Sequence, residues 1–154
     1  MNIERLDILL ADDDTDDCLF FKDALEEMPI HTVLTAVHDG EQLMEQLHDD
    51  TTKLPHVLFL DLNMPRKNGF ECLAEIKQNK KLKDIPVVIF STSYEQEVVN
   101  LLYRNGAQYF IRKPSEFGQF KKIILHVLTI VAQQNMLRTT KSDFVLTVES
   151  NLAK

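Results

Sequence analysis

The sequence predicts an α/β protein built on a parallel sheet with helices on both faces. Short apolar runs alternate five times with segments of helical periodicity, the pattern of successive βαβ units. The strongest runs, Ile8-Leu9-Leu10-Ala11, His56-Val57-Leu58-Phe59-Leu60 and Val87-Val88-Ile89-Phe90, are apolar almost throughout, as strands buried on both faces must be. Chemically capable side chains follow these runs: Asp12-Asp13-Asp14, Asp61, and Ser91-Thr92. A further apolar run, Tyr109-Phe110-Ile111, leads to Lys113-Pro114. Open α/β sheets place their ligands at this carboxyl edge.

Strand 1 spans about Asp7 to Ala11. Helix 1 runs from about Thr15 to Glu27, with Cys18, Leu19, Phe21, Ala24, Leu25 and Met28 at helical spacing, and Pro29 prevents its continuation. Strand 2, Thr32 to Val37, is more polar and fits an edge. Asp39-Gly40 turns the chain into helix 2, which carries Leu43, Met44 and Leu47 on its inner face. Asp49 to Pro55 is a polar connection to strand 3. Helix 3 runs from Gly69 or Phe70 to Gln78 and buries Phe70, Leu73, Ala74 and Ile76. Strand 4 follows Pro86. Helix 4, about Gln96 to Asn105, ends at Gly106, a residue suited to the position after a helix. Strand 5 is Tyr109 to Arg112. Helix 5 starts near Ser115, with Ser115 as cap and Glu116 as first-turn acid. A weak strand 2 at an edge and strong strands 1, 3 and 4 at the centre match the flavodoxin-like five-stranded order 2-1-3-4-5.

At 154 residues the chain is long enough for one domain with a sizeable core. Its formal net charge of −7 argues against a nucleic-acid binder, which presents a basic face. The N-terminus lacks the apolar stretch of a secretory signal, and no apolar run is long enough to span a bilayer. Cys18 and Cys72 have neither metal-ligand nor redox-pair spacing, so two buried, reduced thiols in a cytoplasmic protein are expected.

Asp12, Asp13 and Asp61 cannot all stay ionised side by side without a cation, and an oxygen-only ligand set selects a hard ion such as Mg²⁺. Lys113 then serves as a point charge for a phosphoryl oxygen, Ser91 donates a hydrogen bond to another, and Asp61 is the nucleophile that forms an acyl phosphate. Taken singly, an aspartate after a strand is most often a turn or helix cap. Asp12-Asp13-Asp14 alone fits N-cap chemistry, and Lys113-Pro114 alone is a common loop pair. Their joint placement at the ends of strands 1, 3, 4 and 5 favours the phosphoryl reading.

The set Ile8-Leu9-Leu10-Ala11-Asp12-Asp13, Leu60-Asp61-Leu62-Asn63-Met64-Pro65 with Gly69, Ser91, and Lys113-Pro114 resembles a response-regulator receiver domain. In style it is closest to the stand-alone regulators paired with bacterial phytochromes. The resemblance covers residues 5–134 and implies Asp61 as phosphoacceptor, with Asp13 and Asp61 as direct Mg²⁺ ligands. It also implies Asp12 acting through a water, the Asn63 backbone carbonyl as a further ligand, Ser91 and Phe110 as switch residues, Lys113 as the salt-bridging lysine, and a cis Lys113–Pro114 peptide. Thr92 stands where the family often has alanine, Phe110 where it often has tyrosine, and Asp14 adds a carboxylate. The implied partner is a sensor histidine kinase or a histidine phosphotransfer protein.

Residues 135–154 are expected to be a C-terminal extension without a separate effector domain, so output falls to protein binding, self-association or onward phosphotransfer through the helix 4–strand 5–helix 5 face. In helix 5, Phe117, Phe120, Ile124, Val127 and Val131 form one stripe. Ile123, Ile130 and Leu137 on one side, with Leu125 and Leu128 on the other, widen it beyond the arc a one-sided surface helix needs. A homodimer contact through helix 5 is one reading of that excess; cover by a folded-back Phe144-Val145-Leu146 is the other. The other functions weighed are a receiver-like protein-binding module that works without phosphorylation, a small Mg²⁺-dependent aspartyl-phosphate hydrolase, and a flavodoxin-like cofactor binder. The last is disfavoured because three aspartates repel a phosphate, and the hydrolase lacks a cap insertion.

Overall fold

A computed structural model describes residues 5–133 and 140–146. The strands are β1 (Leu6–Ala11), β2 (Thr32–Val37), β3 (Val57–Leu60), β4 (Val87–Ser91), β5 (Tyr109–Arg112) and β6 (Val145–Leu146). The helices are α1 (Thr15–Glu26), α2 (Gly40–His48), α3 (Gly69–Gln78), α4 (Gln96–Arg104) and α5 (Phe117–Ala132), with a 3₁₀ turn over Lys141–Asp143. All pairings are parallel and the order is β2-β1-β3-β4-β5-β6. The five expected strands take the expected order, and a sixth extends the β5 edge.

The two-residue period of a strand divides each central run between two cores. Leu9, Ala11, Leu58, Leu60, Val87 and Ile89 face the side covered by Leu43 and Leu47 of α2, Leu73 and Ile76 of α3, and Val99 and Leu102 of α4. Ile8, Leu10, Val57, Phe59, Val88 and Phe90 face α1 and α5, where Phe21, Phe90 and Phe120 pack edge-on and stacked at 5.5–6.1 Å between ring centroids. Because neither face is left to water, unbroken apolar runs are what these strands require.

Caps set the helix starts. Asp14 accepts from the Asp16 and Asp17 amides at the head of α1, Asp39 accepts from Gln42 before α2, and Asn68 with Glu71 closes a capping box before α3. Gly106, at φ 96°, takes the left-handed conformation after α4 that a side chain would resist. Helix α5 begins later than expected. Glu116 is not in its first turn but is its N-cap, accepting from the Gly118 amide at 2.9 Å. The Lys113–Pro114 peptide, expected in cis, is trans, since no described residue has a cis bond. The ordinary trans preference of the prolyl amide prevails, and Lys113 reaches its carboxylate partners in that form.

The tail takes the cover reading for part of its length. Phe110 donates its backbone N–H to the Phe144 carbonyl at 2.9 Å. The buried Phe144 ring meets Tyr103 of α4 edge-on at 5.3 Å, and Leu146 joins the α1–α5 core. Of the residues flanking the α5 stripe, Ile123 and Leu128 are buried and Leu125 and Ile130 are half-exposed; Leu137 lies outside the described residues. Both cysteines are free thiols; Cys72 is buried as expected, whereas Cys18 is only half-buried beside the β1–α1 turn, and burial pushes both up to about 11.

Truncating Phe144 to alanine removes a fully buried ring, a change that costs about 3–5 kcal/mol. The Phe110 amide should then lose hydrogen-exchange protection while the central β3 amides keep theirs. Unchanged protection at Phe110 would show that β6 does not hold that edge.

Candidate phosphoacceptor and cation site

Register builds the site before any side chain does. Ala11 pairs with Leu60 and Ser91 with Arg112. Three further backbone bonds carry the ladder one residue past the strands: Asp61 N–H to Ala11 O at 2.9 Å, Asp12 N–H to Val37 O at 3.0 Å and Lys113 N–H to Ser91 O at 2.8 Å. Asp12, Asp61, Ser91 and Lys113 therefore emerge side by side at the carboxyl edge, as the spacing of the four strand ends predicts.

Asp12, Asp13 and Asp61 each offer an oxygen within 4.8 Å of the others. Asp12 and Asp61 are buried, whereas Asp13 opens to solvent. Burial pushes the Asp61 carboxyl up to about 7; the Lys113 charge opposes the rise, Asp12 and Asp13 add to it, and the Asn63 amide opposes it. Burial also raises Asp12, against the pull of Lys113 and of the Asp14 amide. Asp12 is anchored throughout: its carboxylate accepts from Asp14 N at 3.0 Å and from Lys113 Nζ at 2.7 Å. Its carbonyl accepts the Cys18 thiol at 3.6 Å and lies 3.2 Å from His38 Nδ1.

Lys113 reaches in from the end of β5 with its side chain 9% exposed. Its ammonium bonds Asp12 and Asp17, each at 2.7 Å, stands 3.9 Å from Asp61 and lies 5.0 Å above the Phe90 ring. Burial works against its charge, yet the bonds to Asp12 and Asp17 outweigh it and hold Lys113 above the ordinary lysine range. Ser91 is buried, and its hydroxyl oxygen accepts the Ser93 amide at 3.2 Å. Thr92 and Asn63 are exposed. Phe110 is buried under the α4 side of the sheet, edge-on to the exposed Tyr94 at 6.0 Å.

The β3–α3 loop that leaves Asp61 is held closely. Gly69 donates to Leu62 O at 2.9 Å, and a Cβ on Gly69 would run into the Asp61 carbonyl. Arg66 adopts a left-handed φ of 69° and pairs with Asp39 at 3.4 Å and Glu41 at 3.7 Å, tying the loop to the head of α2. Sequence reasoning missed this clasp and missed Asp17. Asp17 carried a signal: it stands in the first turn of the helix that follows Asp12 and Asp13, and so stays at the same end of the sheet. Asp14, counted with the acidic cluster, is instead the α1 cap.

The donor set is oxygen only, two of its three carboxylates are buried, and their charge exceeds what one lysine offsets. Those features fit a hard divalent cation. The same edge has a nucleophilic carboxylate, a hydroxyl and a fixed ammonium, which is a phosphoryl-transfer inventory.

Comparison with known proteins agrees. Residues 8–125 match the family model of the response regulator receiver domain. Response regulator Rcp1 of a Synechocystis species is 33% identical over 121 residues, spanning 76% of this chain and 82% of Rcp1. The crystal structure of Mn²⁺-bound Rcp1 superposes with a TM-score of 0.76 at 30% identity, covering 83% of this chain and 95% of that one. The phosphorylated cyanobacterial phytochrome response regulator RcpA gives 0.78 at 29% identity, covering 84% and 96%.

The raised Asp61 carboxyl fixes the sign of a pH effect in metal-free protein. Between the ordinary carboxylate value of 3.8 and about 7 the folded chain holds a proton that the unfolded chain releases. The stability this group contributes is therefore complete at low pH and is lost as pH rises through 7. In EDTA, Asp61→Asn should gain on wild type in urea midpoint between pH 5 and 8. Parallel curves for the two proteins would contradict the shift.

Proposed function

The chain belongs to the response regulator receiver family, and on that premise we propose that Asp61 accepts a phosphoryl group from a sensor histidine kinase or a histidine phosphotransfer protein. The observation that carries this reading is the convergence of Asp12, Asp13 and Asp61 oxygens within 4.8 Å beside the buried Lys113 ammonium. Asp61 Oδ attacks phosphorus, and the bond to the donor breaks with its electron pair leaving on the donor. Lys113 meets one phosphoryl oxygen with its charge, and the Ser91 hydroxyl donates to another.

Mg²⁺ is the cation of this reading, held by Asp13, Asp61 and the Asn63 carbonyl, with Asp12 acting through a water. When bound it offsets the carboxylate charges and that of the transferring group. The Mn²⁺-bound form of Rcp1 and the phosphorylated form of RcpA support both halves. The protein turns over only its own acyl phosphate and is a switch rather than an enzyme acting on an external substrate. Residues 5–134 form the receiver unit and 135–154 its extension.

Output runs through the α4–β5–α5 face, where Ser91 and Phe110 link the phosphoryl group to packing against α4, in a shift between two populations. The listener is another protein or a second copy. Leu125 and Ile130 on α5 are half-exposed and are the residues offered to a homodimer. The net charge of −7 disfavours nucleic acid, and among the described residues no helix is long and apolar enough to cross a membrane. We place the protein in the cytoplasm.

Incubation with acetyl phosphate and Mg²⁺ should add one phosphoryl group, seen by intact-mass spectrometry. The adduct should be absent in EDTA and absent from Asp61→Asn. An adduct that persists in the variant would move the acceptor elsewhere; a folded, Mg²⁺-binding wild type that never gains one, even from a histidine kinase, would favour the phosphorylation-independent binding module. For the homodimer, sedimentation at tens of micromolar should show a species of twice the monomer mass in at least one phosphorylation state, and a monomer in both would remove it.

A further inference from the structure

An ammonium has three N–H donors, and the two short bonds of Lys113 go to Asp12 and to Asp17, each at 2.7 Å. Asp61, at 3.9 Å, is beyond hydrogen-bond reach. Asp12 is fixed by its own bonds to the β1–α1 turn, so it holds Lys113 from the sheet side. Asp17 stands in the first turn of α1, immobilised by the helix that Asp14 caps. It holds Lys113 from the helix side, while the Phe90 ring underlies the ammonium at 5.0 Å. A lysine stem has many rotamers, and with Asp12 alone the ammonium is free to swing onto the Asp61 carboxylate, 3.9 Å away.

We infer that Asp17 is a positioning residue for phosphoryl transfer: with Asp12 it pins two donors of Lys113, keeps the ammonium off Asp61 in the resting protein and leaves the third donor for the incoming phosphoryl oxygen. The inference rests on the phosphoacceptor reading of Asp61. In the step itself Asp61 Oδ forms a bond to phosphorus, the bond from phosphorus to the acetyl oxygen of acetyl phosphate breaks, and acetate leaves with the electron pair. No proton is transferred, and Lys113 gains a partner for its third donor without changing charge. A nucleophile already paired with Lys113 would have to shed that bond before attack; the Asp17 anchor removes the requirement. Asp17 touches neither phosphorus nor the nucleophile and acts only through Lys113.

The test is a double-mutant cycle on the full chain: wild type, Asp17→Asn, Lys113→Ala and the pair, with Asp17→Glu as the conservative rescue. Rates of acyl-phosphate formation from acetyl phosphate are read by intact mass, Mg²⁺ affinity by calorimetry and stability by urea unfolding. Misplacing a group by about 1 Å at a reacting centre can cost about a hundredfold in rate, and a loss approaching that size is expected for Asp17→Asn. Asp17→Glu should recover most of the rate, and Asp17→Asn should change nothing further once Lys113 is alanine. The urea cycle should likewise be non-additive, which keeps the test decisive if the Lys113→Ala rates are too slow to compare.

A wild-type rate in Asp17→Asn, or the same fold-loss with and without Lys113, would overturn the inference. Absence of any adduct in wild type, from acetyl phosphate and from a histidine kinase alike, would instead sink the phosphoacceptor reading and this inference with it.

Discussion

Two carboxylates buried at the end of a parallel sheet, Asp12 and Asp61, are the constraint around which this molecule is arranged. Taking a charge out of water is expensive unless it is paired and hydrogen-bonded. Here the compensation is one ammonium, a turn amide and the Asn63 amide, and it falls short: both carboxyls are raised despite Lys113. The site is thus under-neutralised by its own residues. Such a cluster suits a divalent cation, and the proposed function uses that deficit to hold a phosphoryl group beside it. The deficit is the chemical asset, and the rest of the fold maintains it.

Maintaining it falls to backbone that cannot adjust. Asp12, Asp61 and Lys113 are each fixed by a ladder bond one residue past a strand; β3 is buried throughout, β1 nearly so, and β5 buries its central Phe110 and Ile111. The loop after Asp61 is closed by Gly69, whose lack of a Cβ admits the Asp61 carbonyl. The Arg66 clasp to Asp39 and Glu41 joins that loop to α2. Displacing any one of these elements moves a carboxylate relative to the lysine, and close packing transmits the shift.

The opposite flank of the sheet links the site to the surface. Ser91 ends β4 beside Asp61, and Phe110 on the adjoining β5 is buried against the α4 side with Tyr94 across it. The same Phe110 backbone donates to Phe144, so the segment that closes the β5 edge is bonded to the residue proposed above as a switch. Burial of Ile123 and Leu128 within the chain leaves α5 less spare apolar surface than its sequence suggests, because an apolar arc records what needs cover, not what supplies it.

Local rules made most of this molecule legible before its fold was known. Unbroken apolar runs require burial on both faces, so the central strands, the parallel sheet and the placement of Asp12, Asp61, Ser91 and Lys113 at its carboxyl edge follow from periodicity and from where each run stops. Caps such as Asp14, Asp39 and Asn68 mark helix starts because orphan amides need acceptors. What the sequence could not determine depends on contacts between residues far apart in the chain: β6 against β5, Arg66 against Asp39, and Asp17 against Lys113 across 96 positions. A two-residue strand has too little pattern to announce itself, and an aspartate in a helix's first turn looks the same whether it faces water or a lysine. Only tertiary structure brings the partner within 2.7 Å, and electrostatic roles are fixed by that distance and by burial, neither of which is a property of the residue alone.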